Sequence, residues 1–254
     1  MTFDFKDKDI LITGGSGGIG SVTARLFAEA GANVIITYNN NLDAAKQVIS
    51  SLKPGNHSIY QLDIAIPEVV QEFFSLYSEK YKKLDVLVNN AAIFTEHKIL
   101  ETSYENWQKS WDDTLRANLA GPANMCYFAS RLMINQNGGK IINISSRGAF
   151  RGEPDHPAYG ASKAGLNAMS QSLAIALAPH NISVHVIAPG FVETDMAAGV
   201  LNSPAGEQIR KQSPFGRVAR PEEVARLIAV YASEGLEFTS AGIVDINGAS
   251  YLRG

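Results

Sequence analysis

Residues 9–37 read DILITGGSGGIGSVTARLFAEAGANVIIT, and this stretch decides the fold. It opens with a short apolar run, 9–13, that glycines stop, as is typical of a buried parallel strand. A glycine turn follows, then a segment with helical spacing that ends at Gly31, then a second apolar run, 33–37. Strand, glycine turn, helix and strand within about thirty residues predict a βαβ unit of the kind that binds dinucleotides.

The glycine turn itself, 15–20, matches G-x-G-x-x-G between a strand and a helix, which is the context that this fingerprint requires. Glycines let a pyrophosphate approach the backbone, and the helix N-terminus supplies N–H groups and partial positive charge. Residues 14–18 also match G-x-S-x-G, the nucleophile elbow, which leaves an esterase that uses Ser16 as an alternative. That motif should follow several strands, with an Asp and then a His behind it, whereas here it follows the first strand.

Strands and helices continue to alternate along the whole chain. Helices are predicted at 42–53, 67–82, 104–136 with a kink at 121–122, 157–178 and 221–233, and strands at 58–62, 84–88, 140–144, 182–187 and 242–246. Seven strands alternating with helices predict an α/β fold, with one parallel sheet covered by helices on both faces.

We expect a single domain over 1–254, with a cofactor half over about 1–138 and a catalytic and substrate half over about 139–254. Residues 191–215 show no clear strand and contain several Gly and Pro residues. A segment of this length beside a sheet edge is predicted to be a lid.

Composition excludes several classes of function. The net charge of −3 gives no basic excess for nucleic acid, and no apolar run approaches the ~20 residues that span a bilayer. Cys126 is the single cysteine, so intramolecular disulfides and Cys-cluster metal sites are excluded, and we expect it to be a packed apolar residue. The five histidines have no paired spacing, so we predict no metal site and a cytoplasmic protein.

A second informative stretch, 146–163, reads SRGAFRGEPDHPAYGASK. Tyr159 and Lys163 are four residues apart, a spacing that places both on one face of a helix. An ammonium beside a phenol lowers the Tyr pKa from its ordinary ~10 towards neutrality, which suits proton transfer to a reacting oxygen. Ser146 follows an apolar run, and its hydroxyl could hydrogen-bond the same oxygen. On its own, Tyr-x-x-x-Lys also fits an exposed helical turn.

With the glycine turn and this pair together, the chain resembles the short-chain dehydrogenase/reductase family over its full length. The resemblance rests on Thr13-Gly14-(three residues)-Gly18-Ile19-Gly20 as the TGxxxGIG turn, Asn89-Asn90-Ala91-Ala92 as the NNAG motif with Ala92 for Gly, Asn118 in ANLAG, Ser146 thirteen residues before Tyr159, and Pro189-Gly190 with Thr194. It implies a Rossmann fold and a carbonyl/alcohol redox reaction with a nicotinamide cofactor.

The resemblance also implies four catalytic residues. Tyr159 would protonate the carbonyl oxygen and Ser146 would hydrogen-bond it. Lys163 would lower the Tyr159 pKa and bind the cofactor ribose, and Asn118 would hold a water that links Lys163 to solvent. A cofactor-binding sensor without turnover is an alternative, but such a binder would have no need of all four residues.

The cofactor residues that the resemblance implies are Gly14, Ser16, Gly18, Ile19, Gly20, Tyr38, Asn39, Asp63, Asn90, Tyr159, Lys163, Pro189, Gly190 and Thr194. Asp63 is expected beside the adenine ring. At the end of the second strand, Tyr38 stands where an NAD enzyme usually has an acidic residue for the ribose 2′-hydroxyl. With no carboxylate to repel a 2′-phosphate, and with Asn39 and Asn40 as donors, we expect NADP(H), with NAD(H) as the alternative.

Substrate and assembly are less closely defined by the sequence. Its style is nearest to the 3-oxoacyl-carrier-protein reductases and the sugar dehydrogenases, and the resemblance implies a homotetramer that packs through helices 104–136 and 157–178. Arg147 could favour an acidic substrate. Other residues that could contact or line a substrate pocket are Phe94, Glu96, His97, Phe150, Arg151, Phe191 and Met196.

Overall fold

The sheet is the frame of the molecule, and the computed structural model describes it within residues 2–253 of the chain. Its seven strands are β1 (Asp9–Ile12), β2 (Asn33–Tyr38), β3 (Ser58–Gln61), β4 (Val86–Asn89), β5 (Gly139–Ile144), β6 (Ile182–Pro189) and β7 (Ile243–Ile246). They are all parallel, in the order β3-β2-β1-β4-β5-β6-β7. The predicted α/β fold with one parallel sheet is confirmed.

Ten α-helices connect these strands within the same residues. They are α1 (Gly18–Glu29), α2 (Leu42–Ser51), α3 (Pro67–Lys80), α4 (Tyr104–Leu115), α5 (Gly121–Asn135), α6 (Gly148–Arg151), α7 (Pro157–Leu177), α8 (Asp195–Leu201), α9 (Gly206–Lys211) and α10 (Pro221–Ala232). Two of them, α8 and α9, lie in the segment 191–215 that showed no regular pattern in sequence. Helices of seven and six residues are too short for their periodicity to stand out.

The helical stretch predicted over 104–136, with a kink at 121–122, is interrupted just before the predicted kink. Residues Arg116–Ala120 form a π-helical turn between α4 and α5. Pro122 has no backbone N–H with which to continue the α-helical bonding, and Gly121 packs closely against the carbonyl of Ile64, where a Cβ would be 2.7 Å from the oxygen. The π-helical turn therefore ends directly before the predicted kink at 121–122.

The hydrophobic core has two layers, one on each face of the sheet. In β1, Ile10 and Ile12 pack towards α1, α2 and α10, whereas Leu11 packs towards α3, α5 and α7. Both faces are covered, so the central strands read as continuous apolar runs rather than alternating ones. No helix in the described part of the chain combines the length and the apolar character that crossing a membrane requires.

Strand order determines where a ligand can bind. The chain winds outwards from β1 to β3 and then returns to β4 on the other side of β1, which makes the β1–β4 junction a topological switch point. The glycine turn follows β1 and Asn90 follows β4, so both lie at the carboxyl edge of this junction. Ser146 and Gly190, beyond the ends of β5 and β6, lie at the same edge.

Candidate active site

The glycine turn is fixed to the neighbouring strand by hydrogen bonds. The hydroxyl of Thr13 accepts from the backbone N–H groups of Asn90 (3.0 Å) and Ala91 (3.1 Å). The amide of Asn90 donates to the carbonyls of Thr13 (3.0 Å) and Gly14 (3.1 Å). The turn is therefore held in one conformation at the switch point, with the N-terminus of α1 behind it.

Two glycines are required by this geometry. Gly14 has a φ of 63°, in the left-handed region that favours glycine. At Gly20 a Cβ would lie 2.4 Å from the carbonyl oxygen of Gly14 and 2.7 Å from Nδ2 of Asn90. Because Gly20 has no side chain, the first turn of α1 can lie directly against the glycine turn. Together they form a cradle for phosphate groups. The cradle fits the dinucleotide that the sequence predicted.

One cleft of about 500 Å³ joins the predicted residues. The predicted residues that line it are Gly14, Ser16, Gly18, Ile19, Tyr38, Asn39, Asp63, Asn90, Ser146, Tyr159, Lys163, Pro189, Gly190 and Thr194. The predicted residues Gly20 and Asn118 do not line the cleft. Among the predicted substrate contacts, Phe94, Arg147, Phe191 and Met196 line the cleft, whereas Glu96, His97, Phe150 and Arg151 do not.

Lys163 is buried beneath the cleft floor, with 3% of its surface exposed. Its ammonium donates to the carbonyl of Ile144 at 2.8 Å and lies 5.7 Å from the centroid of the Tyr159 ring. Burial lowers the pKa of Lys163 to about 8. The helix spacing thus brings Tyr159 and Lys163 to one face, as predicted, but the ammonium is hydrogen-bonded to the strand rather than to the phenol.

The predicted acidification of Tyr159 is wrong for the free chain. Burial raises the pKa of Tyr159 to about 12, the Ser146 hydroxyl partly opposes this by interacting with the phenol, and the charge of Glu153 adds to it. The charge of Lys163 is not among the causes of this shift, and its ammonium donates to the Ile144 carbonyl. The free chain therefore holds the phenol protonated, which is the form that can donate a proton.

Asn118 connects the π-helical turn, the loop after β4 and α7. It lies in the π-helical turn and is fully buried. Its Oδ1 accepts from the backbone N–H of Ile93 (2.8 Å), and its Nδ2 donates to the carbonyl of Ile93 (2.9 Å) and to the hydroxyl of Ser162 (3.3 Å). The side chain thus ties the loop after β4 to α7, in the turn of helix next to Tyr159 and Lys163.

The far end of the cleft carries the residues expected around the adenosine. Tyr38 is 9% exposed at the end of β2, and Asn39 and Asn40 beside it are exposed. Oδ1 of Asp63 accepts from the backbone N–H of Ala65 at 2.9 Å. The described residues at the end of β2 that line the cleft, 38–41, include neither a carboxylate nor a cationic side chain.

The segment after β6 folds over the glycine turn. Gly190 donates its N–H to the carbonyl of Ile246 (3.1 Å), and the Pro189 carbonyl accepts from the N–H of Arg147 (2.8 Å). Thr194, which precedes α8, comes so close to Gly18 that a Cβ on that glycine would be 3.3 Å from its methyl carbon. These contacts hold the segment after β6 in the place where the nicotinamide end of the cofactor is predicted to bind.

Two residues near the site have roles that the sequence reading missed. His97, expected as a substrate contact, is buried, and its ring nitrogens bond the backbone N–H of Ala158 (3.1 Å) and the carbonyl of Thr95 (2.8 Å). It supports the first turn of α7. Glu153, which lines the cleft, had no signal in sequence beyond its place in the loop before Tyr159.

The other candidates have no catalytic partners. No histidine in the described chain is hydrogen-bonded to Ser16, so the geometry lacks the base that an esterase needs. Cys126 is buried as predicted, and burial raises its thiol pKa to about 12, which leaves it unreactive. Residues 2–253 contain no cluster of three or more His, Cys, Asp or Glu side chains that could hold a metal ion.

A glycine turn at the switch point of a doubly wound sheet, facing a Ser–Tyr–Lys set across one cleft, defines a dinucleotide-dependent oxidoreductase. A family model described as enoyl-(acyl carrier protein) reductase matches residues 14–248. The chain belongs to the short-chain dehydrogenase/reductase family and is an NAD(P)-dependent enzyme of that class.

Two relatives named as oxidoreductases and one solved structure are similar to this chain over nearly its whole length. The 3-oxoacyl-[acyl-carrier-protein] reductase FabG of Thermotoga maritima is 36% identical over 243 residues, which cover 95% of this chain and 96% of that protein. An NAD-dependent glycerol dehydrogenase from Listeria innocua is 32% identical, over 99% of this chain and 96% of its own. The crystal structure of gox2181 superposes with a TM-score of 0.90 at 28% identity, and covers 97% of this chain and 96% of its own.

Proposed function

We propose that this enzyme interconverts a ketone and a secondary alcohol, with Tyr159 as the general acid and base. The observation that carries the proposal is the shared cleft: the phenol of Tyr159 and the hydroxyl of Ser146 open into the same cavity as the glycine turn. A carbonyl that reaches both side chains therefore also lies beside the predicted nicotinamide path. Buried surroundings keep the phenol protonated, ready for the reductive direction.

A nicotinamide bound in this cleft would supply or accept the hydride, and the protein's own residues would bind the substrate oxygen and transfer its proton. Ser146 hydrogen-bonds the substrate oxygen while Tyr159 gives up its proton to it. Lys163 holds a positive charge 5.7 Å from the centroid of the Tyr159 ring and would contact the ribose of the cofactor. Asn118 holds the wall in place and positions a water that connects Lys163 to solvent.

For the cofactor we favour NADP(H), with NAD(H) as the alternative. The end of β2 offers Tyr38, Asn39 and Asn40 to the ribose, and no carboxylate there would repel a 2′-phosphate. Gly17 has open space around it, with no atom within 4 Å of a Cβ placed there, so the phosphate would not be crowded. The ratio of kcat/KM for NADPH and NADH measures this preference, and a strong NADH preference would overturn it.

For the substrate we propose a small ketone, a sugar or a 3-oxoacyl thioester, since by their names the relatives act on a 3-oxoacyl-[acyl-carrier-protein] and on glycerol. Residues 191–215, with α8 and α9, form the lid over this end, where Phe191 and Met196 line the cleft.

For the assembly we propose a homotetramer that packs through α4, α5 and α7. Tyr127 on α5 and Ile175 on α7 are large apolar side chains with 52% and 77% of their surface exposed in the single chain. Light scattering behind a sizing column should give about four times the chain mass of 27.4 kDa. The mass of a single chain would contradict the proposal.

The test of the function is an assay of NADPH and NADH oxidation across ketoacyl thioesters, sugars and small ketones. We expect consumption of reduced cofactor with at least one class of ketone. Cofactor binding without turnover of any of them would instead favour a sensor. Ester hydrolysis that is lost in Ser16→Ala would favour the esterase.

A further inference from the structure

Glu153 is held over the substrate end of the cleft by the local sequence. It lies in the loop between α6 and α7, six residues before Tyr159, and its side chain lines the cleft. The side chain packs across Gly148, where a Cβ would be 2.9 Å from Cγ and 3.1 Å from Oε1 of Glu153. Because Gly148 has no side chain, the Glu153 side chain can occupy this position.

The protein does not satisfy this carboxyl group itself. Within residues 2–253 no donor hydrogen-bonds the Glu153 side chain and no cation lies within salt-bridge distance of it. The two neighbouring guanidinium groups are engaged elsewhere: Arg147 donates to Ser250 (2.7 Å) and Arg151 to Gln212 (2.8 Å). This carboxyl group is half-buried and receives no hydrogen bond from the protein, so a donor on a bound substrate would stabilise its charged form.

This carboxyl group lines the same cleft as the reacting phenol. Its charge is among the causes that raise the Tyr159 pKa, whereas Arg147, Arg151 and Asp155 are the charged groups that act on Glu153 in turn. A substrate whose oxygen meets Tyr159 therefore lies in the cleft that Glu153 also lines. Arg147 offers less to a substrate, because it is 3% exposed and its guanidinium lies 5.1 Å from the centroid of the Phe191 ring.

We propose that Glu153 determines substrate specificity by accepting a hydrogen bond from a hydroxyl group of the substrate. The preferred substrates are then hydroxyketones and the corresponding diols or polyols, and acidic ketones are disfavoured. The inference rests on the proposed function, because it assumes that the ketone oxygen is bound at Tyr159. It replaces the expectation that Arg147 selects an acidic substrate.

The test compares hydroxyacetone with butanone, two ketones with the same number of heavy atoms that differ by a hydroxyl in place of a methyl group. Hydrogen bonds to a charged acceptor are strong enough that Glu153→Leu should reduce the ratio of kcat/KM for hydroxyacetone over butanone by about tenfold or more. Glu153→Gln, which keeps the shape and a weaker acceptor, should reduce it less. Asp155→Asn, an exposed carboxylate of the same loop, is the matched control and should leave the ratio unchanged.

An unchanged ratio in Glu153→Leu, with butanone still reduced, would overturn the inference and leave the proposed function standing. If neither ketone is reduced by the wild type, the proposed function is decided by the wider panel of ketoacyl thioesters, sugars and small ketones. The inference is then decided by the dissociation constants of the same two ketones, measured by NMR on the wild type and on Glu153→Leu with NADPH added. A loss of hydroxyacetone selectivity in the variant supports it, and equal selectivity contradicts it.

Discussion

The two ends of the cleft are built in different ways. The cofactor end is made of backbone: glycines at positions where a side chain would clash, clamped to the next strand by Thr13 and Asn90. The substrate end is made of side chains on loops, among them Glu153, Arg147 and Phe191. A turn made of backbone leaves little room for substitution, whereas side chains on loops can change without disturbing the fold.

The largest expected effect tests the backbone end. Gly20→Val would place a Cβ 2.4 Å from the Gly14 carbonyl oxygen, so α1 must move away from the glycine turn. We expect a loss of about 1–3 kcal/mol or more in the free energy of unfolding, together with the loss of cofactor binding. Denaturant unfolding and cofactor titration measure the two effects.

The matched control for stability is Gly17→Ala, because a Cβ at Gly17 meets no atom within 4 Å. Its free energy of unfolding should change by less than about 1 kcal/mol, the effect of alanine at the N-cap of α1. A Gly20→Val protein as stable as the wild type, with normal cofactor affinity, would mean that the cofactor end is not a rigid backbone cradle.

The next prediction concerns titration at the substrate end. Burial lowers the pKa of Lys163 to about 8, so its positive charge is present below that pH and is lost as the pH rises through it. We expect kcat/KM for ketone reduction to fall about tenfold per pH unit above pH ~8, as for one essential ionisation. Lys163→Arg keeps its charge and should remove this limb, whatever its absolute rate. A wild-type profile that stays flat up to pH ~10 would contradict the assignment.

A smaller effect on stability and activity is expected at the first turn of α7, which His97 supports. His97→Ala leaves the buried N–H of Ala158 without an acceptor, which should cost about 1–3 kcal/mol of stability and lower kcat, since Tyr159 is the next residue. His180→Ala is the control, because His180 is exposed. Unfolding and initial rates measured together decide it, and a His97→Ala enzyme that behaves like the control would show that the contact is dispensable.

The smallest expected effect changes cofactor preference only. Asn39→Asp puts a carboxylate at the end of β2, where it would accept from a ribose 2′-hydroxyl and repel a 2′-phosphate. We expect the ratio of kcat/KM for NADPH over NADH to fall by about tenfold, roughly the effect of one charged hydrogen bond. Asn56→Asp adds the same charge at a distant exposed turn and should leave the ratio unchanged. Equal ratios in both variants would place the ribose elsewhere.

The same contrast explains what could be predicted from sequence. The glycine turn was readable because only glycine fits at Gly14 and Gly20, and the sheet because buried parallel strands are continuous apolar runs. The π-helical turn, α8 and α9 were missed, since their causes are a proline without an N–H and helices too short for a periodic signal.

At the substrate end of the cleft, the sequence predicted which residues are present better than it predicted their pKa values and contacts. Spacing placed Tyr159 and Lys163 on one face, but it could not show how deeply the folded chain buries the phenol, so the pKa of the phenol was predicted in the wrong direction. Glu153 and His97 act through contacts with Gly148 and Ala158, which only the folded loops bring together.

The central claim is that the phenol of Tyr159 delivers the proton while the backbone end binds the cofactor independently of it. Tyr159→Phe removes one oxygen atom from the cleft and leaves the glycine turn intact. The measurement is kcat for ketone reduction together with the cofactor dissociation constant, in the wild type and in this variant. We predict a loss of about 10²–10⁴-fold in kcat with cofactor binding retained. Turnover at the wild-type rate in Tyr159→Phe would contradict the account.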